Sequence, residues 1–276
     1  MHYIDARGPG PGAPIDRRSM AMHWTVALGI WLASQATDQQ TVTPAGEQSQ
    51  AQRARAVVER AIEAHGGMAT LSQARIDRVR LRGTMKLGER EIPFAAETVT
   101  ELPKGFRNQV TLAPDTPGKQ VLVQLLHQGK PSLYLNGTPQ TISPAQLDEF
   151  RETLLIQQAM RLVSLVRDKD FALDWAGKGM LNERPVEAIL VRADGRRPLR
   201  MSFDLETGYL VRTSHTVLVE GKPLLQEETY GDFRKLGLYK RPVKMVTTRD
   251  GKPLIDAELV DVRYPEKISE AEFLAP

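Results

Sequence analysis

The chain has 276 residues, 41% of them hydrophobic, and carries 37 Lys and Arg residues against 34 Asp and Glu residues. It contains no cysteine, which excludes disulfides, thiolate metal sites, cysteine nucleophiles and a lipid anchor on an N-terminal cysteine. The formal net charge is only +3, and acidic residues are interleaved along the whole chain, which argues against a nucleic-acid partner. A chain of this length can bury about three quarters of its unfolded surface, so its core needs no covalent staple.

The N-terminal region is expected to lie outside the fold. Residues 20–33 form a short apolar segment that follows Arg17 and Arg18 and precedes the small residues at 34–36. This pattern is typical of a cleaved export signal, which we place at 1–36; the alternative is an uncleaved N-terminal anchor. Residues 37–51 are rich in Gln, Thr and Ser and predict a disordered linker, which leaves 52–276 as a single folded domain.

The folded part begins with a short helix and continues as strands. Apolar residues at helical spacing between Ala54 and Ile62 predict the helix, which Gly66 and Gly67 end. From Val79 the apolar period changes to two, which predicts a strand with one dry and one basic face. Further alternating runs, separated by turn sequences rich in Gly, Pro, Asn and Asp, predict strands at 92–102, 106–112, 121–127, 133–135, 199–205, 209–219, 224–233, 243–248 and 255–262.

A longer helix is predicted in the middle of the chain. Ser143 is a suitable N-cap, Pro144 suits the first helical position, and Gln146 completes a capping box. We expect this helix to reach about Asp168, and because residues 154–166 are mostly apolar, it should be enclosed on most sides. The order of elements predicts a mainly β protein, in which the long helix is inserted midway into a large, strongly curved antiparallel sheet or barrel of about ten or eleven strands.

The sequence contains no recognisable catalytic or metal-binding motif. No histidines have the spacing of metal ligands, and we interpret His127 and His215, on apolar strands, as structural. No nucleophile elbow or phosphate-binding loop is present. Adjacent carboxylates such as Glu227 and Glu228 are expected by chance in a chain with 26% charged residues. We therefore predict neither an enzyme nor a bound cofactor or metal.

A cavity for an apolar ligand is the sharpest functional hypothesis from these elements. A hydrophobic helix lying across the mouth of a curved sheet would form such a cavity, although the same helix could instead fill the barrel. The basic residues Arg80 and Arg82 on the first strand have two interpretations. They belong either to a solvated sheet face or to a rim that attracts the anionic headgroups of lipids.

Several short motifs, taken in order, resemble those of a known family. They span residues 52–276, and their order resembles that of the outer-membrane lipoprotein-sorting proteins, the family related to the periplasmic lipoprotein carrier. The motifs are AHGG at 64–67, RGT at 82–84, FDLETGYL at 203–210, YGDFR at 230–234, DG at 250–251 and FLAP at 273–276.

The resemblance implies an unclosed antiparallel β-barrel of about eleven strands, covered by α-helices that act as a lid over an apolar cavity. It also implies a non-enzymatic, monomeric periplasmic carrier that takes lipid or lipoprotein acyl chains toward the outer membrane. Its partners would be the acylated cargo and inner- or outer-membrane transport components. Without cysteine, the chain is more similar to the soluble carrier than to its lipid-anchored receptor. The alternative is an envelope sensor or regulatory domain of the same fold that binds a partner protein.

We expect one face of the sheet and the lid helix to line the cavity. Arg80 and Arg82 are the candidate contacts for a headgroup. The expected sheet residues are Val79, Leu81, Met85, Leu87, Leu199, Met201 and Phe203, and the expected lid residues are Leu155, Met160, Leu162 and Val166.

Overall fold

One antiparallel sheet of 13 strands organises the computed structural model, which describes residues 49–219 and 221–274. The predicted export signal and residues 37–48 of the predicted linker lie outside the described residues. The strands are β1 Ile76–Leu87, β2 Arg90–Glu101, β3 Gly105–Leu112, β4 Gln120–His127, β5 Lys130–Leu135, β6 Thr138–Pro139, β7 Ala172–Leu181, β8 Arg184–Arg192, β9 Leu199–Asp204, β10 Leu210–Val219, β11 Lys222–Leu236, β12 Tyr239–Arg249 and β13 Lys252–Arg263.

The strands form two meanders that meet at the centre of the sheet. Their order is β6-β5-β4-β3-β2-β1-β13-β12-β11-β10-β9-β8-β7. The first meander starts at the centre with β1 and ends at one edge with β6, and the second starts at the opposite edge with β7 and returns to pair β13 with β1. The sheet is curved and does not close, which confirms the predicted fold class.

The sequence pattern missed the strands at the second edge. The glycines of β7, Gly177 and Gly179, and a register shift between Trp175 and Lys178 interrupt its period of two. In β8 four consecutive residues from Val186 are buried, so this strand shows no alternation between a dry and a wet face. With the two-residue β6, these strands raise the number from the expected ten or eleven to 13.

The two predicted helix starts are both confirmed. The helices are α1 Gln50–His65, α2 Met68–Gln73, α3 Pro144–Met160 and α4 Val163–Arg167, followed by a 3-10 helix at Glu270–Phe273. Ser49 caps α1, three residues before the expected start of the folded domain. At α3, the Ser143 hydroxyl accepts from the Gln146 amide at 3.2 Å, and the Gln146 side chain accepts from the Ser143 amide at 2.7 Å. Both helices therefore begin with a complete capping box.

The expectation of one helix from Ser143 to Asp168 is wrong, because the helix breaks after Met160. Leu162 has a φ of 61°, and the Val163 amide donates to the Arg161 carbonyl at 2.6 Å, which closes a three-residue γ-turn. Such a turn is strained for a leucine. The apolar residues 154–166 are thus divided between α3 and α4, and most of those on α3 are only half-buried.

All four α-helices contribute to the cover over one face of the sheet, which we call the inner face. α1 and α4 pack over β8–β12 in a first core cluster that contains Val58, Leu165 and Phe203. Phe150 of α3 packs over β1–β4 in a second core cluster with Phe94 and Phe106. On the opposite, outer face, Phe273 of the 3-10 helix packs on Val99 and Leu125. The middle of the inner face therefore lies between two separate cores.

We expect Gly83→Ala to destabilise the junction of the two meanders. A Cβ at residue 83 would collide with the carbonyl of Asp256 on β13, so the paired backbones would have to move apart. We predict a loss of about 2–3 kcal/mol in the free energy of unfolding, measured by urea denaturation. Gly231→Ala is the matched control, because residue 231 is also in a strand and its Cβ would meet nothing within 4 Å. Equal effects of the two substitutions would contradict this prediction.

Candidate functional site

A cavity of about 250 Å³ lies between the two core clusters on the inner face. One side of α3 contributes Thr153, Ile156, Gln157 and Met160, which the helical spacing of three and four residues places on one face. The central strands contribute most of the remaining wall, and its apolar part comprises Val79, Leu81, Leu210, Phe233, Pro242, Met245 and Leu259. The arrangement is an apolar chamber on a sheet, with a helix as its lid.

The structure brings only part of the expected lining together. Val79, Leu81 and Met160 line the cavity. Leu155 is half-buried on α3 away from this wall. The other expected residues belong to the core clusters: Met85 and Leu87 to the second, and Leu162, Val166, Leu199, Met201 and Phe203 to the first.

Arg80 and Arg82 do not line the cavity, because side chains alternate along β1 and these two lie on the outer face. Arg80 pairs with Glu97 at 3.0 Å, and Arg82 pairs with Glu258 at 3.2 Å. Their side chains are 48% and 70% exposed, respectively. This arrangement is the solvated sheet face that the sequence left open as one of two interpretations.

Two arginines in the cavity wall share one buried carboxylate, in a group that we call the Asp77 cluster. Asp77, at the start of β1, is only 1% exposed. Nη2 of Arg161 lies 2.8 Å from Asp77 Oδ1, and Nη1 of Arg241 donates to Asp77 Oδ2 at 2.7 Å. Arg161 also donates to the Tyr239 hydroxyl at 2.8 Å. Because Arg161 directly follows α3, the Asp77 cluster fastens the end of the lid helix to the sheet.

The Asp77 cluster contains more positive than negative charge. Burial alone raises the pKa of Asp77, but Arg161 and Arg241 outweigh it and hold the pKa at about 2. Despite burial, the pKa values of both arginines are raised by Tyr239 and Asp77. The pKa of Tyr239 is in turn lowered, because the two guanidiniums outweigh the effect of its burial. One carboxylate therefore faces two guanidiniums.

Glu228 and Tyr230 form a second polar spot in the cavity wall. The Tyr230 hydroxyl donates to Glu228 Oε2 at 2.9 Å and lies 2.8 Å from the Thr213 hydroxyl. The Gln226 side chain donates to the other Glu228 oxygen at 3.4 Å. Burial raises the pKa of Glu228 more than these hydrogen bonds lower it. This carboxyl group therefore retains its proton to a higher pH than a solvated glutamate.

A cluster of carboxylates on the first half of α3, which we call the Glu149 cluster, holds that half of the lid. Arg197, in the loop between β8 and β9, donates to Glu149 at 2.9 Å, and Arg196 donates to Asp148 at 3.1 Å and to Glu152 at 3.3 Å. Burial, with Glu152 and Asp148 nearby, raises the pKa of Glu149 to about 8 against the opposing effect of Arg197. Burial is the main cause of the raised pKa, and the neighbouring carboxylates of Glu152 and Asp148 add to it.

Sequence reasoning missed the polar residues of the site, although one of them left a signal. Arg161 is the only charged residue among the apolar residues 154–166, and a buried arginine requires a partner. Its partners Asp77 and Arg241 are distant along the chain, and no spacing pattern connects them. From the sequence alone, Glu227 and Glu228 are expected as chance neighbours. Consecutive side chains of a strand, however, point to opposite faces of the sheet, so these two carboxylates do not act as a pair. Only the sheet register places Glu228 in the cavity.

Among the described residues, no group of His, Asp and Glu side chains is arranged to hold a metal ion. His127 stacks on Phe273 with ring centroids 4.2 Å apart. Burial, assisted by Arg197 and Arg249, lowers the pKa of His215 to about 4, so this histidine is neutral. None of the helices in residues 49–219 and 221–274 is both long and apolar enough to cross a bilayer.

Comparison with known proteins shows similarity in structure only. No protein-family model matches the sequence, and no curated protein matches it. A LolA superfamily protein from Nitrosomonas europaea is 9% identical, with a TM-score of 0.53, and the match covers 80% of this chain and 97% of that protein. A DUF1329 family protein from Desulfovibrio piger is 11% identical, with a TM-score of 0.53 and coverage of 82% and 98%.

The chain shares the fold of these two structures, the first of which is a LolA superfamily protein. The resemblance inferred from the order of short motifs is thus confirmed at the level of the fold. A lipoprotein-sorting domain from Vibrio parahaemolyticus is also similar, at 13% identity, 81% coverage of this chain, 97% coverage of its own and a TM-score of 0.49.

We expect Asp77→Asn to destabilise the protein strongly, because it leaves two buried guanidiniums without a carboxylate. Breaking a buried ion pair from one side costs about 3–5 kcal/mol. Urea unfolding at neutral pH measures this loss. Asp261→Asn is the matched control, because Asp261 pairs with Arg263, whose side chain is 65% exposed. This substitution should lower the free energy of unfolding by less than about 1 kcal/mol. Equal losses would mean that the Asp77 cluster does not hold the lid.

The raised pKa of Glu149 predicts a stability that falls with rising pH. Between its ordinary pKa of 4.5 and about 8, the native state binds more protons than the unfolded state. This contribution is therefore fully present below pH 4.5 and is lost as the pH rises through about 8. Unfolding at a series of pH values should show a shallower decline for Glu149→Gln than for the wild type. The exposed Glu59→Gln, as control, should leave the slope unchanged.

Proposed function

We propose that this protein is an exported, non-enzymatic carrier that binds the acyl chains of a lipid or lipoprotein in the cavity and takes them through the periplasm toward the outer membrane. The observation that carries this proposal is the apolar chamber of about 250 Å³ between the sheet and α3. The LolA superfamily fold and the export-signal pattern of residues 20–33 support it.

The lining of the cavity suits a hydrocarbon chain. Burial of each methylene contributes about 0.8 kcal/mol, and the loss of translational and rotational freedom on binding costs at least about 4 kcal/mol. About five methylenes must therefore be buried before binding becomes favourable. A wall built from Leu81, Met245 and Leu259 supplies contacts of this kind.

The attachment of α3 suits a lid that moves. Sites for drug-sized ligands enclose about 300–1,000 Å³, so the present volume of about 250 Å³ accepts one short chain or part of a longer one. Larger cargo requires α3 to swing away from the sheet. Its ends are fastened by ion pairs of the Glu149 and Asp77 clusters, and the strained turn at Leu162 separates it from α4. Such a movement would exchange these ion pairs and withdraw Phe150 and Ala159 from the two core clusters.

We expect Leu259→Trp to reduce acyl binding by filling the cavity. Leu259 lines the chamber, whereas the neighbouring Val260 is 55% exposed and does not. Titration with an acyl chain that carries a polarity-sensitive fluorophore should show at least about a tenfold loss of affinity for Leu259→Trp, since several buried methylenes are displaced. The matched control Val260→Trp should bind as the wild type does. Equal affinities of all three proteins would place the binding site elsewhere.

Native mass spectrometry tests the proposal on the wild-type protein. The chain should be isolated from a periplasmic fraction under native conditions, and its bound lipid extracted and identified. We expect a lipid or acylated peptide in stoichiometric amount. An empty protein that also fails to take up the fluorescent acyl probe would overturn the carrier proposal. Copurification of a partner protein from the same fraction would then identify the regulatory alternative.

A further inference from the structure

The cavity wall carries an unbalanced positive charge beside its apolar lining. Arg161 and Arg241 line the cavity, and the Asp77 cluster offers them a single carboxylate. Lys240, an exposed residue of the same wall, adds a third cation that stays in contact with water, with its Nζ 5.5 Å from the ring centroid of Tyr209. An excess charge that is removed from water is costly unless a counter-charge approaches it. The empty part of the cavity is where such a counter-charge can be placed.

Arg161 also has a hydrogen-bond donor that no group in the described part of the chain accepts. Its side chain is only 9% exposed, and each guanidinium has five N–H donors. Nη1 and Nη2 bind Tyr239 and Asp77, but the buried Nε has no hydrogen-bond partner among the described residues. A buried donor without a partner is rare in folded proteins and calls for a functional or structural explanation. A ligand with a hydrogen-bond acceptor at this position would explain the unpaired donor.

We propose that the cavity selects an amphiphile with a single chain and an anionic headgroup, which the Arg161 and Arg241 guanidiniums bind. This inference rests on the proposed function and narrows its ligand class. A carboxylate or a phosphate monoester fits the fork of a guanidinium, because two parallel N–H donors can bind two oxygens. The chain of the same molecule would lie along Val79, Leu81 and Leu259.

The second polar spot does not favour a cationic headgroup. Glu228 is the other carboxyl group in the cavity wall, and it already accepts hydrogen bonds from Tyr230 and Gln226. Burial raises its pKa, so it contributes less negative charge than a solvated glutamate would. The charge that a ligand meets in this cavity is therefore mainly that of the arginines.

A headgroup series on the wild-type protein tests this inference. Dodecanoate, dodecyl phosphate, dodecanol and dodecylammonium share one chain length and should be compared for displacement of a neutral fluorescent acyl probe. We expect the two anions to bind at least about tenfold more tightly than the alcohol, as a charge-assisted hydrogen bond implies. Inorganic phosphate alone should not displace the probe, which distinguishes an amphiphile from a free anion.

Substitutions test whether the preference for anionic headgroups depends on the arginine pair. Arg241→Gln should remove the preference for the anions over dodecanol, while Arg241→Lys should retain only part of this preference. Arg263→Gln is the matched control, because Arg263 is exposed on the neighbouring strand and pairs with Asp261 at 3.0 Å. It should keep the full preference.

The outcomes separate the two proposals. Equal affinities for dodecanoate and dodecanol, or tighter binding of dodecylammonium, would overturn the inference and leave the carrier proposal standing. Displacement of the probe by inorganic phosphate would also overturn it, in favour of a site for a free anion. Failure of the probe and of all four amphiphiles to bind would instead overturn the carrier proposal itself.

Discussion

The path of the chain from β6 to β7 is the constraint on which the site depends. The first meander ends at one edge of the sheet and the second begins at the other, so residues 140–171 must connect the two edges. Helices suit such a crossing, because they satisfy their own backbone hydrogen bonds and leave those of the sheet intact. A lid over the inner face is therefore a consequence of the topology. The open question for any such chain is whether the lid fills the space beneath it.

In this protein the lid leaves the space open because of what its inner side presents. Phe150 enters the second core cluster near the start of α3, but the residues that follow on the same side include Thr153 and Gln157. These side chains do not pack as leucines would, and the wall opposite them contains Thr98 and Thr100. The two core clusters thus stay apart, and the lid is positioned by Phe150 and Ala159 within them and by charged groups at its ends.

The elements that sequence predicts correctly are those determined by neighbouring residues. The cap at Ser143 and the alternation from Val79 to Leu87 depend on local geometry, and both are present. The break at Leu162 is different, because residues 154–166 are a good helical sequence. The break lies beside the buried contact of Arg161 with Asp77, which is 84 positions away along the chain. A contact between residues so distant along the chain leaves no local sequence pattern. Most residues of the cavity wall could not be predicted for the same reason.

Two of the motifs that carry the family resemblance meet beside the cavity. Asp204 accepts from the amides of Glu206 and Thr207, which shapes the turn at 204–208. Gly208, with a φ of +74°, lets this turn approach α1 so closely that a Cβ would lie 3.0 Å from that of Ala64. One residue further along each segment, the rings of His65 and Tyr209 meet edge to face, with centroids 5.3 Å apart. Residues 64–67 and 203–210 are thus two sides of one contact.

This contact explains why the sequence motifs indicate the fold but do not identify the ligand. The motif segments build the frame, which holds α1 on the sheet and sets the edge of the cavity. The charged residues Asp77, Arg161 and Arg241 lie outside all of these segments. The ligand must therefore be inferred from the cavity wall of each chain, and in this chain the wall combines apolar side chains with a pair of arginines that share one carboxylate.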